Sequence, residues 1–148
     1  MENTENNRLR VGWKEWASLP DLGIEALEVK VDTGAKTSAI HSFDVQPFEK
    51  DGVSYVRFGL HPDRHSFEQE IYCEAPVSDQ RVVSDSGGHK EERYVITTPI
   101  TLGDQTWPIE ITLTSRENMA FRMLLGREAM RNRIVVYPES RYLLKQLK

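Results

Sequence analysis

The sequence predicts an all-β domain with one short helix near its C-terminal end, and three observations lead there. Brief apolar runs recur between clusters of turn residues. One of them, Ile109-Glu110-Ile111-Thr112-Leu113-Thr114, exchanges apolar and polar side chains at period two. Only 126–132 combines helix formers with a Gly before and an Asn stop behind. Strands at this spacing fold as a β-barrel or sandwich.

In chain order, residues 1–8 are polar and Asn-rich and are expected to form a disordered tail, because they offer little apolar surface to offset the cost of ordering. A single domain is expected over 9–148. Strands are expected at 10–18, 26–32, 38–46, 53–60, 67–75, 80–84, 91–102 and 107–114. The turns between them are signalled by Leu19-Pro20-Asp21-Leu22-Gly23, Lys50-Asp51-Gly52, His61-Pro62-Asp63, Asp85-Ser86-Gly87-Gly88 and Leu102-Gly103-Asp104-Gln105. The helix at 126–132 is too brief to persist without packing, and a last strand at 134–137 ends at Pro138. There is no repeat, linker or low-complexity tract, and the polar stretch 78–93 reads as a hairpin.

Composition narrows the function. A chain of 148 residues, 39% of them hydrophobic, can bury one core without staples. The 19 basic residues are scattered and outnumbered by 23 acidic ones, so no footprint for nucleic acid is present. No apolar run is long enough to span a bilayer, and the first nine residues lack the apolar stretch of a signal peptide, so a soluble, cytoplasmic protein is expected. Cys73 is the only cysteine and can form no internal disulfide.

Two elements carry chemistry. In Val29-Lys30-Val31-Asp32-Thr33-Gly34-Ala35 an apolar strand ends in an aspartate placed to project from a rigid strand end into a cleft. Gly34 lets the backbone turn sharply, Ala35 leaves room beside it, and the Thr33 hydroxyl can bond across to a neighbouring copy of the loop. On its own the tripeptide reads first as an Asp opening a turn, and only the second element shifts that reading. The second element, Met123-Leu124-Leu125-Gly126-Arg127, is an apolar strand running into a Gly and the short helix.

Together these segments resemble the Asp-Thr-Gly loop of the retropepsin-like aspartic proteases and the hydrophobic-hydrophobic-Gly strand beside it. The likeness is closer to a bacterial group of small retropepsin-like endopeptidases, often labelled ATP-dependent zinc proteases, and covers residues 11–144. It is carried by Val11-Gly12-Trp13-Lys14-Glu15-Trp16, by Asp32 with 33–41, by Arg93-Tyr94-Val95-Ile96-Thr97 and by 113–127. The resemblance implies the acid-protease closed β-barrel, a catalytic Asp32, substrate contacts from Thr33, Gly34 and Ala35, and support from Leu125, Gly126 and Arg127. It also implies association with ATP-grasp ligases that add amino acids to protein or peptide ends. Two departures stand out. Lys36 replaces the acidic residue that pairs with the helix arginine in the retroviral proteases, so Arg127 must find another partner or stay solvated. Val136-Tyr137-Pro138 lacks the Asp expected before Pro in the bacterial group, which implies a changed polar network.

The residues support neither zinc nor ATP in the group's label. There is no His-Glu-x-x-His, and His41, His61, His65 and His89 lie apart; Pro62 opposes helical presentation of His61 and His65, even with Cys73 as a third ligand. No Gly-rich phosphate loop and no Gly-x-Ser-x-Gly elbow occur. His41 reads as a polar strand residue, with the cleft as its other possible place. Cys73, between apolar neighbours, reads as a small hydrophobe, and Trp13, Trp16 and Trp107 as packing residues.

The function expected is peptide hydrolysis by Asp32 and its symmetry mate, with no cofactor and no metal, on a peptide or protein substrate. Ser86-Gly87-Gly88 is a candidate flap tip, with Gly87 and Gly88 contacting substrate. A second Asp-Thr-Gly is missing, since Asp85-Ser86-Gly87 has neither the apolar strand before it nor Ala after it; a homodimer is therefore expected. The alternative is an inactive peptide-binding or accessory module of the same fold.

Overall fold

The computed structural model describes residues 4–5, 7–84, 87–116 and 118–144. It is built mostly of strand: β1 (Thr4–Glu5), β2 (Arg8–Val11), β3 (Lys14–Leu19), a 3-10 turn (Pro20–Leu22), β4 (Ile24–Val31), β5 (Ser38–His41), β6 (Phe43–Lys50), β7 (Val53–Leu60), β8 (Ile71–Ser84), β9 (Lys90–Leu102), β10 (Gln105–Thr114), β11 (Met123–Leu125), α1 (Arg127–Met130) and β12 (Ile134–Val136).

Nine strands run in the order β10-β5-β11-β4-β3-β9-β8-β7-β6, and β10 also pairs with β9, so the path through β5, β11, β4, β3 and β9 returns to β10. A smaller sheet has the order β1-β2-β12. Inside lie Leu19, Leu27, Val29, Ile40, Ile96, Ile100, Ile111, Met123 and Leu125, all removed from solvent. Burial of side chains of this size contributes about 1.5–3 kcal/mol each before the entropy of ordering is counted.

The expected strands differ from the observed ones where the backbone is constrained. The run 10–18 divides after Val11, because a Cβ on Gly12 would fall 2.1 Å from the carbonyl oxygen of Ser140; only glycine lets the C-terminal segment pass so near. The run 38–46 divides at Ser42, ahead of Asp44 at φ 56°. The run 67–75 begins as strand only at Ile71 and joins 80–84 in β8, whose register shifts between Val77 and Asp79, a bulge that keeps pairing through the interruption. In β10 the alternation holds to Ile111, after which Thr112 and Thr114 are buried too. The Thr112 hydroxyl donates to the Ser38 carbonyl at 3.2 Å, and that of Thr114 to Glu91 Oε1 at 2.9 Å.

Two carboxylates hold the C-terminal segment against the sheet. Glu15, 1% exposed, accepts from the backbone N–H groups of Gly12 at 2.7 Å, Leu143 at 2.8 Å and Leu144 at 3.2 Å. Glu28 accepts from Arg64 Nε at 2.8 Å and from the Tyr142 hydroxyl. Burial alone would raise the Glu28 carboxyl, but the Tyr142 and Arg64 hydrogen bonds outweigh it and hold the group below the usual carboxylate range. Cys73 is buried on β8, donates to the Leu22 carbonyl at 3.3 Å, and is pushed up to about 11 by burial, which suits a packing residue and not a nucleophile. Trp107 is buried with its Nε1 donating to the Ala129 carbonyl at 3.0 Å. Trp13 and Trp16 are half-buried, against Phe121 and Tyr142. No described helix is long and apolar enough to cross a membrane.

Because its folded value is depressed, Glu28 contributes stability above the carboxylate range of the unfolded chain, and that contribution is lost as pH falls through the folded value. Glu28→Gln is expected to cost about 1–3 kcal/mol at neutral pH. The gap between the two melting temperatures should then narrow on acidification; a gap constant with pH would remove Glu28 from this role.

Candidate functional site

β4 delivers Asp32 with its backbone fixed on both sides. Val31 N–H donates to the Trp13 carbonyl at 2.8 Å and Asp32 N–H to the Leu125 carbonyl at 2.9 Å. Beyond that point the chain turns: Ala35 N–H donates to the Asp32 carbonyl at 3.2 Å, and Gly34 N–H to Asp32 Oδ1 at 3.0 Å. One carboxylate oxygen is thus oriented by the loop's own backbone. Asp32 is half-buried, while Thr33 and Gly34 are exposed. A Cβ on Gly34 would lie 3.3 Å from Asp32 Oδ1 and crowd the group it orients.

The second element supports this loop from behind. β11 runs parallel to β4, with Met123 opposite Val29 and Leu125 opposite Val31. Gly126 N–H then donates to Ser38 Oγ at 3.0 Å, and a Cβ on Gly126 would fall 2.6 Å from the Thr37 carbonyl carbon. Arg127 N–H donates to the Ala35 carbonyl at 2.8 Å and Glu128 N–H to that of Lys36 at 3.0 Å, so donors left over at the start of α1 close onto the end of the Asp32 loop. The Arg127 guanidinium donates to the Thr33 and Gly34 carbonyls at 3.4 and 3.3 Å. With Lys36 where an acidic partner would stand, the arginine clamps the loop's carbonyls.

Asp32 opens onto a cleft of about 950 Å³ lined also by residues of β5, β8, β9, β10, β11 and α1. Its lining is heavily charged: Asp32, Lys36, Arg81, Arg93, Glu110, Arg116 and Glu128. Arg81 donates to both Glu110 oxygens, at 3.0 and 3.1 Å, and to Asp79 at 2.6 Å; its guanidinium holds Asp79 below the usual carboxylate range. Arg93, 8% exposed, donates to Glu91 at 2.6 Å and to Thr112 Oγ1 at 3.2 Å. Lys36 and Arg116 are exposed and take no ion pair among the described residues.

Of the residues expected to contact substrate, Asp32, Gly34 and Ala35 line the cleft, and Thr33 lies on the exposed tip beside it. Leu125, Gly126 and Arg127 stand behind the loop. Gly87 and Gly88 lie between β8 and β9 but are not part of the cleft wall, which is formed by Arg81, Val82, Val83 and Ser84 of the hairpin's first strand. Asp85 and Ser86 fall outside the described residues. His41 is 1% exposed on β5, its ring centroid 5.7 Å from that of His61, and does not line the cleft. Among the described residues no three His, Cys, Asp or Glu side chains are grouped to hold a metal.

The cleft's cations were not singled out in the sequence as a set. Arg93 and Arg116 fall within the segments that carry the family resemblance, but their convergence depends on strand pairings spread from 38 to 114.

A family model described as retropepsin-like aspartic endopeptidase RimB matches residues 10–146. A protein of Desulfotalea psychrophila named probable alpha-L-glutamate ligase is 47% identical over 86% of this chain and 28% of its own length. One of the same name from Shewanella pealeana is 43% identical over 94% of this chain and 30% of its own length. The chain therefore spans less than a third of these curated relatives. The crystal structure of a Legionella pneumophila protein of unknown function superposes with a TM-score of 0.78 at 28% identity, covering 95% of this chain and all of the other.

Gly126→Ala tests the support of the loop. The added methyl must displace backbone at 37–38, so a loss of about 1–3 kcal/mol is expected in urea unfolding. Unchanged stability would mean that the crossing is looser than its distances imply.

Proposed function

The chain belongs to the RimB-like family of retropepsin-like aspartic endopeptidases, and on that premise we propose that it hydrolyses acidic peptides, with Asp32 from each of two chains activating water. The observation that carries this reading is the Asp32 loop itself: a carboxylate on a strand end, oriented by Gly34 N–H and opening onto a cleft of about 950 Å³. Two such carboxylates about 3 Å apart across a two-fold axis hold one proton between them. The ionised one takes a proton from water as the oxygen attacks the peptide carbonyl, and the protonated one gives its proton to the carbonyl oxygen. Collapse of the tetrahedral intermediate breaks the C–N bond, the leaving amine receives a proton, and the shared proton is restored. This needs no cofactor.

In this reading Thr33, which is exposed beside Asp32, bonds to its copy in the partner chain. The closed-barrel form belongs to the same reading and is supported by the pairing path that returns to β10. The acidic substrate class is supported by Lys36 and Arg116 in the cleft wall. It is supported too by relatives named for glutamate ligation, of which this chain matches one part. A hydrolase domain joined to, or working beside, such a ligase in the cytoplasm would meet glutamate-rich peptides. That same partial match favours a second reading, a non-hydrolytic module that presents peptide to an ATP-grasp ligase.

Asp32→Asn should abolish hydrolysis and leave melting unchanged within a degree or two, since the amide keeps the shape but cannot act as the base. Equal turnover by the mutant would exclude Asp32 as catalyst. Activity should fall on dilution through the dimer dissociation constant, and an excess of Asp32→Asn chains should poison it; full activity from a sedimenting monomer would rule out the two-chain dyad. Glutamate peptides should be cut at least tenfold faster than matched glutamine peptides at low salt, with the difference shrinking as salt rises. A preference for neutral peptides would overturn the acidic substrate class, and the absence of hydrolysis with peptide binding intact would favour the presenting module.

A further inference from the structure

Arg81 and Arg93 stand directly opposite each other in the β8–β9 ladder, and both line the cleft. Residues so paired in an antiparallel ladder share a face, and like charges there repel. The fold meets that cost with three carboxylates, Asp79 and Glu110 on Arg81 and Glu91 on Arg93. A pair of strands in need only of stapling would place one arginine against one glutamate. Here two arginines are paired across the ladder, and both line the wall of a cavity.

Each is fixed by its Nε, which donates at 2.6 Å to an acid two residues away on its own strand, Asp79 for Arg81 and Glu91 for Arg93. A guanidinium carries five N–H donors in a planar fork. In Arg93 only Nε and one Nη1 donor are engaged by described side chains, leaving Nη2 without such a partner although the residue is buried to 8% exposure. In Arg81 the outer edge is taken by Glu110, itself 45% exposed and part of the cleft wall. Glu110 thus occupies the position that a carboxylate arriving through the cleft would take, and an ion pair this exposed opens at small cost.

We propose that the Arg81–Arg93 pair is the specificity subsite of the cleft, receiving a side-chain carboxylate of the bound peptide in the place that Glu110 holds in the free chain. This rests on the reading of the cleft as a site for acidic peptides. Bidentate guanidinium–carboxylate geometry discriminates glutamate from glutamine, which a lone ammonium such as that of Lys36 does less well. Glu110 serves as a placeholder that keeps Arg81 extended and the two cations apart until substrate arrives.

The test separates binding from hydrolysis by using the full chain carrying Asp32→Asn. Labelled penta-glutamate and penta-glutamine peptides are titrated by fluorescence anisotropy against this chain and against the same chain with Arg81→Gln, Arg93→Lys or Glu110→Gln. Arg81→Gln and Arg93→Lys should each weaken penta-glutamate at least tenfold and leave penta-glutamine unmoved; Arg93→Lys keeps the charge and loses the fork. Glu110→Gln should tighten penta-glutamate by removing its competitor. Arg81 is about a third exposed, so its variant keeps the test available if Arg93→Lys melts below the assay temperature. Unchanged discrimination in folded Arg81→Gln overturns the subsite, as does a parent chain that binds both peptides alike. If discrimination is lost as expected while the wild-type chain cuts no peptide, the subsite stands and the peptidase reading falls.

Discussion

The site depends on one crossing, the parallel run of β11 beside β4. At its end the Leu125 carbonyl accepts the Asp32 N–H, which would otherwise be an unpaired donor where the strand gives out. Val29, Met123 and Leu125 are removed from solvent and anchor the two strands side by side. Gly126 then lets β11 leave past the backbone at 37–38 and start α1, whose N–H groups close on the Ala35 and Lys36 carbonyls. The carboxylate's position is therefore set by apolar burial and backbone bonds away from the cleft, which is how a functional group is held rigid while remaining accessible.

Against this scaffold the charged walls of the cleft are a lighter construction. Arg81, Glu110 and Asp79 are partly exposed, and ion pairs of that exposure add little to stability. Arg93 is different: nearly buried, it relies on Glu91 and Thr112, and Glu91 also takes the Thr114 hydroxyl. The buried end of the network fixes β9 against β10, and the open end faces solvent.

The strand framework was legible in the sequence because its signals are local. Period-two alternation placed β10 and the turn signal at 50–52 placed the start of β7, while the Asp-Thr-Gly and Leu-Leu-Gly segments placed the two elements that meet at the site. What local signals could not supply was contact between distant segments. Nothing near Gly12 announces that Ser140 passes over it, so 10–18 read as one strand. Thr112 and Thr114 read as a solvent face because the groups that bury them, Ser38, Glu91 and Arg93, come from other strands. The cleft's cations were hidden for the same reason: Lys36, Arg81, Arg93 and Arg116 converge only after the sheet has formed.

Lys36 and Arg127 show how support and specificity are linked. In the retroviral pattern the residue after Ala is acidic and neutralises the helix arginine, so one position serves the loop's stability. Here the arginine donates instead to the Thr33 and Gly34 carbonyls, which are fixed features of any chain that makes this turn. A backbone acceptor cannot be lost by substitution. The side chain at 36 is thereby released from supporting the loop, and in this chain it is a lysine in the cleft wall beside Asp32. An acidic residue there, with its arginine turned to the loop carbonyls, would set a second uncompensated negative charge next to the carboxylate. Lysine instead favours anionic groups entering the cleft. Moving the clamp from a side chain to the backbone is what makes a lysine at position 36 compatible with an intact Asp32 loop.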